Sequence, residues 1–297
     1  MPWQQLLSST ERLPEAPLAD WFADLLSGLG AVSPFALAVL GGRKAATPGL
    51  AFLAGYQGAL RALWPSAPAS LGALCVTENK STRPADMQTR LDDLHLSGRK
   101  DFVTAGEDAD WLLVSAREEE SGAAPKIALA LLYSGAPGAQ VEALPALPMM
   151  PDIGHARLHL QNSPCTRLPG DGWADYVKPF RSMEDIHVMA ALTAWQYGVG
   201  VESGWPQPLL LKLLGLLTGC AEVARQNPSA ASTHLLLAGL FAQQHALKAE
   251  LDSAFADGSA HWAKLWQRDQ AILQLATAAR AKRLENALLA LGLAAAE

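Results

Sequence analysis

Seven histidines, three cysteines and scattered serines are the residues of this 297-residue chain that could do chemistry, and their spacing decides which chemistry is open. His155 and His159 form an HxxxH arrangement, which on a helix would turn two imidazoles toward one metal ion. Here Ala156, Leu158 and Leu160 alternate with their neighbours as in a strand. Four strand residues span roughly 13 Å, too far for a shared ion, so the pair reads as structural. Ser134 sits in Tyr133-Ser-Gly-Ala-Pro-Gly138 without the flanking glycines that a nucleophile elbow needs. Gly198-Val-Gly200 closes a helical stretch instead of following a strand, the reverse of a dinucleotide-binding turn, and no P-loop is present. Cys75, Cys165 and Cys220 are far apart, odd in number and without a CxxC pair. They predict neither a zinc site nor a disulfide framework, and they point to a reducing, cytoplasmic setting.

Charge narrows the choice further. The net charge is −6 and charged residues make up 18% of the chain, so no basic face exists to neutralise nucleic-acid phosphates. The one basic cluster, Arg280, Lys282 and Arg283, is expected to complement the dipole near a helix end. The first residues lack the basic and apolar regions of a signal peptide. The longest apolar run, from Pro208, is interrupted by Lys212 and falls short of a membrane span. A large core, rich in Ala and Leu, is expected from the 50% apolar content.

The elements that would position any site fall into three textures. Residues 1–70 read as helical, with Leu18, Trp21, Phe22, Leu25 and Leu26 at helical spacing and a second run from Ala51 to Leu63 that stops at Trp64-Pro65. Residues 71–178 hold short strand-like runs (LGALCVTE, DFVT, DWLLVSARE, KIALALLYS, ARLHLQN) parted by the turns SGAPG and LPGDGW, which predicts an antiparallel barrel or sandwich. Residues 179–297 return to helix. Ser182 to Asp185 has the form of a capping box, and further helices are expected from Pro208 to Arg225, Ser232 to Phe255 and His261 to about Leu291, giving a four-helix bundle. The fold class is α+β: N-terminal helices, a central antiparallel β domain and a C-terminal bundle.

The β region carries the one specific pattern. Val76-Thr77-Glu78 ends a strand, and Gly98, Lys100, Phe102, Val103, Thr104, Gly106, Ala109 and Asp110 mark a hairpin. Together they resemble the middle domain of the acyl-CoA dehydrogenase family, where a hydrophobic-hydrophobic-Thr-Glu strand precedes a Gly-x-Lys-x-aromatic-Ile-Thr-x-Gly hairpin and an Ala-Asp pair. The resemblance covers about residues 50 to 297, with the N-terminal helices shortened. It implies flavin adenine dinucleotide (FAD) held beside Val76, Thr77, Phe102, Val103 and Thr104, and an acyl thioester, on CoA or a carrier protein, as substrate. It also implies an electron-accepting flavoprotein as partner and a homodimer or tetramer. Oxidation at the α and β carbons needs a carboxylate to take the α proton, and Glu184 falls where some family members place it; an acidic residue favoured by the helix dipole is the other reading. Arg268-Asp269 is similar to an Arg-Asp pair near the family's last helix, or is an ordinary ion pair.

The sequence departs from the family at two places. Asn79-Lys80-Ser81-Thr82-Arg83-Pro84 replaces a Pro-Gly-x-Gly-Ser-Asp loop, so that Lys80 and Arg83 either meet a phosphate or are solvated. The C-terminal Gly-Gly-x-Gly-Tyr signature is missing. A relative without catalysis, acting as scaffold or binding partner, and a flavin oxidase or monooxygenase on the same fold are therefore the alternative readings.

Overall fold

Two Ser/Thr-Pro pairs start two of the N-terminal helices. Ser33 Oγ accepts from the Ala36 amide and Thr47 Oγ1 from the Leu50 amide, while Pro34 and Pro48 occupy first-turn positions where no amide is needed. The computed structural model describes residues 2–9, 11–118 and 126–293, so Met1, Thr10, residues 119–125 of the expected β segment and the last four residues of the expected bundle lie outside it. The N-terminal helices are α1 (Trp3–Ser8), α2 (Leu18–Leu29), α3 (Pro34–Lys44) and α4 (Pro48–Leu63). Sequence periodicity missed α3 because Gly41-Gly42 weakens its helical pattern. Those glycines are there for packing: a Cβ on Gly42 would stand 2.1 Å from the carbonyl oxygen of Ala191 in the long helix α5 (Lys178–Glu202). Gly42→Ala must therefore push α3 off α5. Urea denaturation is expected to show a loss of about 1–3 kcal/mol, the usual cost of overpacking.

Among the described residues the central sheet has eight strands: β1 (Gly72–Cys75), β2 (Arg90–Asp92), β3 (His95–Thr104), β4 (Trp111–Glu118), β5 (Lys126–Tyr133), β6 (Ala139–Ala143), β7 (His155–Pro164) and β8 (Thr166–Arg167). Their order is β6-β7-β3-β2-β4-β5-β8, with β1 also paired to β4. The sheet is curled and not wholly antiparallel, because β1 and β2 both run parallel to β4, at successive positions along it. The chain between them, residues 76–89, has to leave the sheet and return. The short strands β2, β6 and β8 carry too few residues to show an alternating pattern in the sequence.

After the sheet, a wide helical turn (Gly172–Val177) leads directly into α5, and Asp171 caps it by accepting from the Trp173 and Ala174 amides. The expected cap at Ser182 is thereby corrected: Ser182 is buried inside α5, and the true cap lies eleven residues earlier in the LPGDGW turn. The remaining helices are α6 (Gln207–Val223), α7 (Ala231–Ala246), α8 (Lys248–Ala256), α9 (Ala260–Asp269) and α10 (Thr277–Ala290). The third and fourth expected helices are thus each broken, at Leu247 and between Gln270 and Ala276. Arg280 lies in the first turn of α10, so it cannot complement the dipole at a C-terminus; its partner is Asp185 on α5. One continuous apolar core joins the N-terminal helices, the inner face of the sheet and α5. Among the described residues no single helix is long and apolar enough to cross a membrane; α2 and α3 reach that length only together, bent by 113°.

Candidate functional site

The hairpin residues reach one place because β3 is irregular. Between Lys100 and Val103 its register against β7 shifts, three steps on β3 facing two on β7, from Leu158 to Ala156. Strict alternation would put Lys100 and Phe102 on one face. The bulge instead turns Lys100 and Val103 both into the core and leaves Phe102 and Thr104 together on the other face. The Val103 side chain is buried on the core side and does not line the cavity. Gly98, with φ +143° and Thr89 atoms 2.7 Å from where a Cβ would stand, accommodates the earlier register shift between Leu96 and Gly98.

Phe102 and Thr104 line a cavity of about 220 Å³ with Val76, Thr77, Tyr56 and Glu184, closed at one side by Thr82 and Arg181. Phe102 is 42% exposed, with the His155 ring set edge-on and its centre 5.2 Å away. The Thr77 hydroxyl makes no hydrogen bond among the described residues, while the Tyr56 hydroxyl accepts from the Leu74 amide at 2.9 Å and meets Thr104. Burial, then the nearby Glu184, raises the Tyr56 phenol well above its ordinary value. Sequence reasoning missed Tyr56, eighteen residues before Leu74 on α4, since nothing local marks it. An aromatic surface, two threonine hydroxyls and branched walls suit a flat heteroaromatic ligand such as a flavin ring.

Glu184 makes no hydrogen bond or ion pair among the described residues, and its proton affinity is unusual. Removal from water, then the neighbouring Asp185 carboxylate, pushes it up to about 7, against the opposing pull of Arg283 and Arg181. The helix dipole has little part, because Glu184 lies thirteen residues beyond the Asp171 cap. Asp185 faces elsewhere: it binds Arg280 at 3.0 Å and also Arg283. Arg181 donates to Thr82 Oγ1 at 2.8 Å and lies over the Trp173 ring.

The family-like residues Glu78 and Lys100 prove to be a buried pair, 2.5 Å apart, with Lys100 fully enclosed and also donating to Ser115 Oγ at 3.2 Å. Glu78 accepts from the Gln88 and Thr89 amides as well, so it fastens both ends of the 76–89 loop. Burial works to raise Glu78, but Lys100, the Gln88 amide and Thr89 bring it below the ordinary carboxylate value. Between them Asn79 and Lys80 both adopt left-handed backbone, in a tight turn closed by Glu78 and Ser81. Arg268 and Asp269 form a two-bond pair at 2.7 and 2.8 Å, and Asp269 accepts from the Met150 amide. That pair ties the end of α9 to the loop before β7. His159 bonds Glu142 at 2.7 Å, and among the described residues no three His, Cys, Asp or Glu side chains converge as metal ligands.

This architecture is the acyl-CoA dehydrogenase fold. Butyryl-CoA dehydrogenase from Megasphaera elsdenii superposes with a TM-score of 0.65 at 17% identity, over 91% of this chain and 90% of that one. FkbI, for biosynthesis of the methoxymalonyl extender unit of the Fk520 polyketide, gives 0.64 at 18%, over 97% and 96%. FMN-bound TdsC from Paenibacillus sp. A11-2 gives 0.62 at 18%, over 92% and 87%. No family model matches the sequence. No curated protein matches it either.

Proposed function

We propose that this protein is a flavin-dependent oxidoreductase that oxidises an acyl thioester at its α and β carbons, with FAD as the flavin. The observation that carries the reading is that Glu184, pushed up to about 7, lines the same cavity as Thr77, Phe102 and Thr104. Segment 71–178 supplies the hairpin wall and segment 179–297 supplies the carboxylate. Flavin, when bound, supplies the acceptor for the hydride that leaves the β carbon. Val76 and Phe102 offer its ring apolar surface, and Thr77 and Thr104 offer hydroxyls to its polar edge. The Glu184 carboxylate takes the α proton, a role that suits a group whose affinity for protons is near neutral pH. Lys80 and Arg83, which carry no ion pair among the described residues and flank Thr82, offer positive charge to a flavin phosphate. A homodimer or tetramer and an electron-accepting flavoprotein are the corresponding partners, and the cytoplasm the corresponding place.

A second reading is a flavin oxidase or monooxygenase. It is favoured by the 78–81 turn, whose amides are spent on closing the turn and on Asp101, leaving fewer main-chain donors for a dinucleotide. Anaerobic mixing of the flavin-loaded protein with acyl-CoA thioesters of graded chain length decides between them. Bleaching of the flavin band near 450 nm (roughly, for an oxidised flavin) by at least one thioester is the expected result. No bleaching, with reduction by a nicotinamide and reoxidation by oxygen instead, would replace the dehydrogenase reading with the second.

A further inference from the structure

A second cavity, of about 640 Å³, opens between α7, α9 and α10 and shares no lining residue with the Glu184 cavity. Its volume lies within the ~300–1,000 Å³ of small-molecule sites. The floor is apolar, with Leu237, Phe241, Leu273 and Leu284 among its residues. Among the described residues its charged groups are all basic: Lys248, Arg280 and Arg283 line it, with His234 and His245, and no described Asp or Glu does. In a chain of net charge −6 that is a local reversal of sign. Lys248 is offset by Asp252, while Arg280 and Arg283 share the single carboxylate of Asp185 as their only ion-pair partner among the described residues.

Both guanidinium groups are held in place before any ligand arrives. Arg280 donates to Asp185, Leu273 O and Thr277 Oγ1 and lies 4.0 Å from the Phe241 ring centre. It therefore sits where apolar floor and charged edge meet. Side chains fixed this way lose little further freedom on binding.

We propose that this cavity is a second ligand site and that it takes an amphipathic anion, an acyl chain ending in a carboxylate. The chain lies on Leu237, Phe241 and Leu284, and the carboxylate meets Arg280 and Arg283. The site shares no lining residue with the Glu184 cavity, and Arg283 is the one lining group whose charge also reaches Glu184.

Calorimetric titration of the whole protein with decanoate tests this, with decanol and decyltrimethylammonium as the neutral and cationic counterparts. Decanoate is expected to bind one per chain, at least tenfold more tightly than decanol, with no measurable binding of the ammonium compound. Arg283→Gln should weaken decanoate about tenfold, the loss of one charge-assisted hydrogen bond. Ala238→Trp, which fills the cavity from α7, should abolish binding, and Ala281→Phe does the same from α10 should the first variant not fold. Thr77→Trp, which fills the other cavity, should leave decanoate binding unchanged. The proposal fails if decanoate and decanol bind alike, if neither filling variant matters, or if Thr77→Trp removes binding. It also fails if wild-type protein binds nothing and Ala238→Trp dissociates an oligomer, since a second copy would then cover the cavity.

Discussion

Glu184→Gln is expected to abolish reduction of bound flavin by an acyl thioester, slowing it by roughly 10²–10⁴-fold, the usual contribution of a general base. The same change should make the protein more stable at pH 8. A carboxyl pushed up to about 7 from the ordinary 4.5 binds its proton more tightly in the folded state. Its ionisation therefore works against folding, and the penalty grows as pH rises from 4.5 through 7. Glutamine has no charge to bury, so the variant gains on the order of 2–3 kcal/mol at pH 8 and little at pH 5. Wild-type kcat/KM should rise with pH through about 7, because only the ionised form accepts the α proton. Stopped-flow reduction and urea denaturation at the two pH values check both halves. A variant that keeps its reduction rate removes Glu184 from the reaction; one that loses rate and stability together makes it structural.

Lys100→Met is expected to have the largest effect on stability. It leaves the Glu78 carboxylate enclosed with two amides but no counter-charge. Breaking a buried pair from one side costs about 3–5 kcal/mol, whereas replacing both partners is far milder. The double variant Glu78→Gln/Lys100→Met should therefore recover much of the loss, with a coupling visible in a double-mutant cycle. The pair also gives the fold an acid limit. Glu78 lies below its ordinary value, so its contribution is present above about 4.5 and is lost as pH falls past that point. Because Glu78 anchors Gln88 and Thr89, the single variant should also release the 76–89 loop and weaken whatever Val76 and Thr77 hold.

The same pair shows where sequence reading succeeds and where it stops. The spacing of Thr77, Glu78, Lys100, Phe102 and Thr104 pointed to the fold the chain adopts, and the helix–sheet–helix order followed from periodicity. That Glu78 and Lys100 face each other inside the core, while Phe102 and Thr104 face out, depends on a bulge that no residue type announces. By strict alternation Val103 would have stood on the opposite face from Thr104 and Phe102 in any register, yet it is Lys100 whose placement changes. Ser182 resembled a cap because an acidic residue follows three positions later; Asp171, in a Gly-rich turn, had the better claim. Tyr56 and Arg181 come to the cavity through helix packing across long stretches of chain, which local patterns do not encode. The glycines of α3 weakened a helix signal for the sake of contact with α5.

Titration of the purified protein with FAD, and in parallel with FMN, followed by quenching of flavin fluorescence and by the visible spectrum, tests the central claim most directly. One flavin per chain is expected, bound at least tenfold more weakly by Phe102→Ala and by Thr77→Val, with the fold intact by circular dichroism. A protein that takes up neither flavin, or binds one equally well without Phe102 and Thr77, would contradict the account.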